Sequence, residues 1–367
     1  MNLATHSNYC RRGIALIIVM ICITVLAIMA AGFAYSMKVE TRLAMNSNSE
    51  ADLLAIGWGS IQKAAALLSL RDPAEQWDSL NQKWAGGPGS SMTSNSLLAL
   101  ITLDPNTKIV DMERRANINM ADQQLLDQAM RMIGVDATDS GAVTAAILDW
   151  IDPDKNEHIN GAETDYYETL DPPYKCKDAP IDDLSELLLV RGVTQEIFWG
   201  GVATNHAPAS FQSKLGMQQR GNQANIYPVG LADLFSPYSA GPININTAPR
   251  EVLAMVLNGD EAAADRIVAC RAGPDGADGT EDDVPFRSAN DALACAQLPT
   301  AFISQVGRYF NTRSRLFQVE VHAEVNGTHR YFYAVVDRDA QPDKKILTFF
   351  WKHQPIVTSL NRNAAAR

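Results

Sequence analysis

From Ile14 to Tyr35 the chain runs for 22 residues without a charge. About 20 apolar residues in a helix suffice to cross a hydrocarbon core of ~30 Å, so this is the pattern of a membrane span. Beyond it the polarity changes but the period does not. Leu53, Ile56, Ile61, Ala64 and Leu68 recur at helical spacing as far as Leu70, so one helix over 14–70 is expected. At ~1.5 Å per residue its length would be roughly 85 Å. Arg11 and Arg12 precede the apolar run, and Lys38, Glu40 and Arg42 follow it. The positive-inside tendency then places the first thirteen residues in the cytoplasm and the body outside. Gly13 stands ahead of the apolar core, whereas a secretory signal carries its small residues behind it. Cutting after Gly13 would remove a short basic leader and leave the span attached, with Ile14 as the new first residue.

Gly- and Ser-rich sequence over Gly86 to Ser96 breaks the helical pattern and reads as a loop. "LLALITL" and "TKIVDME" read as short strands of a hairpin around Asp104-Pro105-Asn106. Helical patterning returns over Asn117 to Ile151, continues through "PIDDLSELLLVRGVTQEIF", and starts again at "PININTAPREVLAMVL". The triplets Asn117-Ile118-Asn119 and Asn244-Ile245-Asn246 are the nearest thing to an internal repeat. In each, a polar residue is expected to cap a helix: Asn119 in one, Thr247 in the other, with Asp122 and Glu251 near the positive helix end. After Gln305 the period drops to two. Phe317, Val319, Val321, Ala323 and Val325 alternate with polar residues, and Asn326-Gly327 favours a two-residue hairpin turn. A small antiparallel sheet follows, whose inner face would cover the outer half of the long helix.

Composition narrows the classes. Of 367 residues 46% are apolar and 20% charged, an ordinary globular balance. The net charge of −11, with cations no denser than pairs such as Arg114-Arg115, opposes a nucleic-acid surface. Five cysteines show no CxxC spacing, which leaves zinc and thioredoxin-like sites unsupported. In an exported body, Cys270 and Cys295 are open to a disulfide or to buried free thiols.

The most informative chemical segment is "DWIDPDKNEHINGAETDYY". Asp152, Asp154, Asn156 and Glu163 fit the EF-hand loop spacing, except that Glu157 occupies the glycine position. Calcium wants six to eight hard oxygens, which such a loop can supply; the bland reading is a solvated acidic loop. A second acidic stretch, "GPDGADGTEDDVPF", gathers Asp275, Asp278, Glu281, Asp282 and Asp283 among glycines. It reads equally as a calcium loop or as a mobile acidic hairpin. "NINTAP" resembles the start of a helix-hairpin-helix unit, but Asp260 and Glu261 would repel a phosphate there. No HExxH, P-loop, dinucleotide or nucleophile-elbow pattern is present. The six histidines are isolated in sequence, and His206 and His322 read as surface or structural residues.

Gly13 before "IALIIVMICITVLAIMA" resembles the type IV pilin-like proteins, whose leader is cut after glycine by a prepilin peptidase. Most of these carry glutamate as the fifth residue after the cut; here it is Ile18. A carboxylate in the bilayer is expensive and is kept where it has a partner. Its lack resembles the K-type minor pseudopilins of type II secretion systems, the general secretion pathway protein K family. "PPYKCKDAPIDDLSELLLVRGVT" and "SAGPININTAPREVL" are similar to that family as well.

The resemblance implies an α+β fold: a pilin-like long N-terminal helix packed on a small antiparallel sheet, with an inserted helical domain of SAM-like and helix-hairpin-helix-like units. The division is then 1–13 leader, 14–70 long helix, 71–115 first part of the sheet domain, 116–235 first helical domain, 236–304 second helical domain, 305–352 closing strands and 353–367 tail. It further implies a non-enzymatic subunit capping a pseudopilus tip, with calcium in the helical domain. Its place would be the bacterial inner membrane, single-pass, with the body in the periplasm. Partners would be the prepilin peptidase and other minor pseudopilins along the N-terminal helix, and no nucleic acid. The rivals are a membrane-tethered helix-hairpin-helix DNA-binding protein of a DNA-uptake system and a membrane-anchored hydrolase.

Overall fold

Helix α1 runs unbroken from Arg11 to Ser69 in the computed structural model, which describes residues 11–70, 76–88, 103–200, 229–299, 302–304, 307–341 and 345–352. The apolar period over 14–70 thus forms one helix, and Gly13 and Ile14 lie in its first turn. The chain divides into two units, Met1–Trp58 with Ala323–His329, and Gly59–His322 with Arg330–Arg367. In the first, the large apolar side chains between Leu16 and Tyr35 are all exposed. Among the described residues α1 alone is long and apolar enough to cross a membrane. The same unit holds the turn Asn326-Gly327, with φ of 52° and 76°, both positive as a type I′ hairpin requires. Asn326 Nδ2 donates to Ser49 Oγ at 3.2 Å.

In the second unit the last turns of α1 bury Ile61, Ala64, Leu67 and Leu68. Ser60 Oγ donates to Asp104 at 2.8 Å and Lys63 pairs with it at 3.2 Å. The Ser60 hydrogen bond holds the Asp104 carboxyl below its usual range. Strand β1 (Thr107–Asp111) follows at once. It pairs antiparallel with β6 (Leu316–Val325), from Thr107 opposite Val321 to Asp111 opposite Phe317. The "LLALITL" arm of the expected hairpin falls, up to Thr102, outside the described residues. Strands β7 (Thr328–Asp337) and β8 (Ile346–Lys352) complete an antiparallel sheet of order β1-β6-β7-β8. Period-two alternation puts Phe317, Val319 and Val321 on its buried face.

Between β1 and β6 the chain builds the helical insertion. Its helices include α2 (Gln123–Ile133), α3 (Ala137–Ile151), α4 (Thr164–Tyr167), α5 (Gln195–Trp199), α6 (Leu231–Leu234), α7 (Arg250–Val256), α8 (Glu261–Arg271) and α9 (Ala289–Cys295). The segments expected as separate helical domains share one apolar core. Leu126, Met130, Ile147, Trp150 and Leu187 belong to the same buried cluster as Leu253, Val256, Ile267 and Leu293.

The two Asn-Ile-Asn triplets are a structural repeat. Each opens with a two-residue strand in a parallel bridge: β2 (Ala116–Asn117) beside β3 (Phe235–Ser236), and β4 (Ile243–Asn244) beside β5 (Phe310–Asn311). In each, the first asparagine accepts from the N–H of the third, at 2.9 Å in Asn117 and 3.0 Å in Asn244. The isoleucine between them is fully buried. The third asparagine then grips a later backbone segment at two points. Asn119 accepts from Ile181 N at 2.7 Å and donates to Ile181 O at 3.0 Å; Asn246 does the same to Phe286 at 2.8 and 3.0 Å. This overturns the capping roles expected for Asn119 and Thr247. Asp122 caps α2, accepting from Leu125 N at 2.9 Å. Helix α7 begins after Pro249 without a side-chain cap.

Thr247 instead belongs to a buried polar knot that ties the insertion to the sheet. Asp111 Oδ2 accepts from Thr247 Oγ1 (2.5 Å), Ser314 Oγ (2.6 Å) and Asn244 Nδ2 (3.1 Å). Asn244 also donates to Asp78 O at 3.1 Å. Asp78 in turn takes Ser314 N at 2.8 Å and the Arg338 guanidinium at 2.5 and 2.6 Å. Buried polar groups survive only when their hydrogen bonds are made, and here donors from three distant segments make them.

Beside the knot, burial pushes the Glu113 carboxyl up to about 7 from an ordinary 4.5. The folded chain therefore keeps a proton between those values that the unfolded chain releases. This group's contribution to stability is whole below pH 4.5 and declines as pH rises toward 7. At 1.36 kcal/mol per unit the decline is about 3 kcal/mol. Glu113→Gln should flatten the urea-midpoint profile over that window; an unchanged slope would count against the assignment.

Candidate metal centre

Helix α3 ends by burying a carboxylate. Asp149 is fully buried, and the loop that follows folds back onto it. Asp149 Oδ1 accepts from His158 N at 3.0 Å and meets His158 Nδ1 at 2.5 Å, while Oδ2 accepts from Ala162 N at 2.7 Å. The Asp149 contact raises the His158 pKa. The turn is made at Asn160, with φ of 65°, and closed at Gly161. A Cβ on Gly161 would stand 1.9 Å from Asp149 Oδ2. Arg191 secures the same turn, donating to Gly161 O at 2.8 Å.

The loop's tightest glycine is therefore Gly161, and the residue in the EF-hand glycine position, Glu157, is exposed. Gly161→Ala should cost about 1–3 kcal/mol, because only displacement of Asp149 or the loop makes room. Thermal melts would read it; a wild-type melting point would contradict the packing.

Behind this turn a second group of side chains converges. Glu163, Cys176 and Asp178 bring one donor atom each within 4.8 Å of one another, as do Asp149, Asp152 and His158. Glu163 is 7% exposed. Both of its oxygens, Asp152 Oδ1 and Asp178 Oδ1 are buried without a hydrogen-bond partner. Asp178 reaches this position from φ of 48°, a left-handed conformation that aspartate tolerates better than most. Burial, then the charges of Asp178 and Asp149, push Glu163 up to about 7. Burial also raises Asp152, with Asp154 adding to it, and burial pushes the Cys176 thiol up to about 12.

The EF-hand residues do not gather as one group: Asp152 lies with Asp149 and His158, and Glu163 with Cys176 and Asp178. Asp154 and Asn156 are exposed, with Asn156 N donating to Asp154 at 2.7 Å. Asp149, His158, Cys176 and Asp178 are the residues that motif spacing missed. Nothing in local spacing links Glu163 to Cys176 and Asp178, since α4 lies between them. Orphaned hard oxygens in a buried acidic cluster fit a calcium ion, which is held by carboxylates and carbonyls.

The second acidic loop is arranged otherwise. Arg271 is buried, donates to Ile245 O at 2.9 Å and Ala248 O at 2.8 Å, and forks onto Asp278 at 2.9 and 2.6 Å. Asp282 accepts from Asp275 N and from Thr280 Oγ1, Asp283 accepts from Gly279 N, and Asp275 from Ala277 N. Glu281 is exposed. Within the loop the carboxylates are met by one guanidinium, a threonine hydroxyl and backbone amides. Cys270, one residue from Arg271, is joined to Cys295 by a disulfide between α8 and α9.

The helix-hairpin-helix resemblance meets a closed hairpin. Gly259, with φ of 85°, donates its N–H to Ala254 O at 2.8 Å, and a Cβ there would stand 2.8 Å from Gln128 Nε2. Asp260 caps α8 through Ala263 N at 2.9 Å. An amide already bonded inside the hairpin, beside a carboxylate, has nothing to offer a phosphate. His322 stacks on Tyr331 with centroids 4.5 Å apart, a structural role as expected.

Two family models described as type II secretion system protein K match residues 96–199 and 243–307. The chain is 26% identical to the type II secretion system protein K of Klebsiella pneumoniae over 210 residues, 52% of this chain and 61% of that protein. It is 32% identical to the protein of the same name from Pectobacterium carotovorum over 75 residues, 20% of this chain and 23% of that protein. Among solved structures it is similar to a chain of the GspK-GspI-GspJ complex from the enterotoxigenic Escherichia coli type 2 secretion system. The TM-score is 0.58 at 17% identity, covering 84% of this chain and 99% of that one.

Proposed function

Since the chain belongs to the type II secretion system protein K family, we propose that it works as a minor pseudopilin at the tip of a pseudopilus. In this reading α1 anchors it in the bacterial inner membrane, the body lies in the periplasm, and the subunit performs no catalysis. The carrying observation is the charge-free run behind Gly13 that continues into one helix to Ser69, with Ile18 where a pilin subunit keeps a carboxylate. A subunit with nothing ahead of it has no partner amine for that carboxylate, and in the bilayer an unpaired one is costly. The Cys270–Cys295 disulfide suits an oxidising compartment. Partners are other minor pseudopilins packing along α1, and the E. coli relative was crystallised with two other secretion-system proteins.

Processing after Gly13 by a prepilin peptidase is part of this reading. Intact mass and N-terminal sequencing of the membrane-extracted protein should give a chain beginning at Ile14. One still beginning at Met1, or beginning beyond Tyr35, would end the filament reading. Removal of Asn117 to Thr300 should then change filament initiation or length, because the bulky insertion is what opposes addition of a further subunit; unchanged initiation and length would contradict the cap.

Calcium belongs to the same proposal. Asp152, Glu163 and Asp178 would hold it, with Asp149, His158 and Arg191 keeping the loop closed around them. The ion would supply the positive charge that lets three crowded carboxylates stay ionised. At a concentration 100 times its dissociation constant it should stabilise the fold by about 2.7 kcal/mol. Identical melting with calcium and with chelator would remove the ion from the proposal.

A further inference from the structure

Calcium explains the oxygens of this centre but not its sulfur. Cys176 is 7% exposed, as is Glu163. Its Sγ lies within 4.8 Å of the donor oxygens of both Glu163 and Asp178. The backbone holds it there: Cys176 N donates to Thr164 Oγ1 at 3.2 Å, and Sγ reaches Asp149 O at 3.5 Å. Neither Glu163 oxygen nor Asp178 Oδ1 has a hydrogen-bond partner. Calcium takes oxygen donors, whereas a thiolate beside carboxylates selects zinc and its softer neighbours. Three protein donors with one position left for water is a common zinc arrangement.

We propose that Glu163, Cys176 and Asp178 form a mixed carboxylate–thiolate seat for a divalent cation of the zinc and cadmium class, which enters this loop in place of calcium. The inference rests on the reading of the loop as a cation site. On binding, the sulfur–hydrogen bond is exchanged for a sulfur–metal bond and the proton leaves to the buffer. The other described free cysteine, Cys22, is exposed on the membrane-spanning part of α1 and far from any carboxylate in sequence.

The test uses the full chain in detergent, stripped with chelator and titrated with cobalt, whose thiolate charge-transfer band in the near ultraviolet reports a sulfur ligand. Wild type should develop the band, zinc should abolish it, and Cys176→Ser and Cys176→Ala should never show it. The affinity for zinc should fall in both variants by more than the about 10–100-fold that follows loss of an outer-shell partner. Both variants should keep the calcium-dependent rise in melting temperature, which also certifies their fold. Cobalt binding without the band, or a band that persists in both variants, overturns the thiolate seat and leaves the calcium reading standing. Failure of wild type to bind either cobalt or calcium overturns both.

Discussion

Asp78→Ala is expected to destabilise the chain by about 3–5 kcal/mol, the cost of leaving one partner of a buried ion pair alone. Asp78 and Arg338 have side chains only 2% and 7% exposed, and the guanidinium grips both carboxylate oxygens. Without Asp78 the Arg338 charge stays buried, and Ser314 N loses its acceptor. Asp78→Asn should cost less, because it keeps the acceptor while removing the charge. Arg338→Lys keeps the charge but loses the fork, and should fall between them. Urea unfolding of the detergent-solubilised protein reads all three; a loss under about 1 kcal/mol for Asp78→Ala would mean that the pair is effectively solvated.

Replacing Cys270 and Cys295 together by serine is expected to cost about 3.5 kcal/mol by the loop-entropy relation, from a bridge that closes 25 residues. The loop it closes is the second acidic stretch, so the disulfide and the Arg271–Asp278 pair restrain the same segment from both ends. Reducing agent should lower the wild-type melting temperature to that of the double variant and leave the variant itself unmoved. Equal melting of wild type with and without reductant would contradict the bridge.

What the sequence made legible was whatever a local period or spacing encodes. The apolar run and its continuation at helical spacing foretold α1, alternation foretold β6, and Asn326-Gly327 foretold the turn that follows it. The repeated Asn-Ile-Asn was visible too, but its meaning was not. A cap is a local contact and was the natural expectation for Asn119 and Thr247, yet their partners are Ile181 and Asp111, separated from them by 62 and 136 residues. The grouping of the candidate metal ligands was hidden for the same reason. Asp152 and Glu163 stood in a recognisable loop, whereas Asp149 looked like a helix residue and Cys176 and Asp178 lay beyond another helix. The sign of Arg271 was equally hidden, because a lone arginine at a helix end announces a favourable dipole and not the centre of an acidic loop.

The repeated asparagine grip makes the insertion read as two diverged copies of one plan: triplet, two helices, acidic loop, gripped backbone, closing parallel bridge. The copies differ in the origin of the charge that settles the acidic loop. One copy has built that charge into its own polymer as Arg271, so its loop is complete as soon as the chain folds. The other leaves the oxygens of Glu163 and one of Asp178 without a hydrogen-bond partner, and under the proposed cation reading its counter-charge would come from the surroundings. Maturation of the first half would then be timed by the chemistry of the compartment the chain arrives in, and that of the second by synthesis alone.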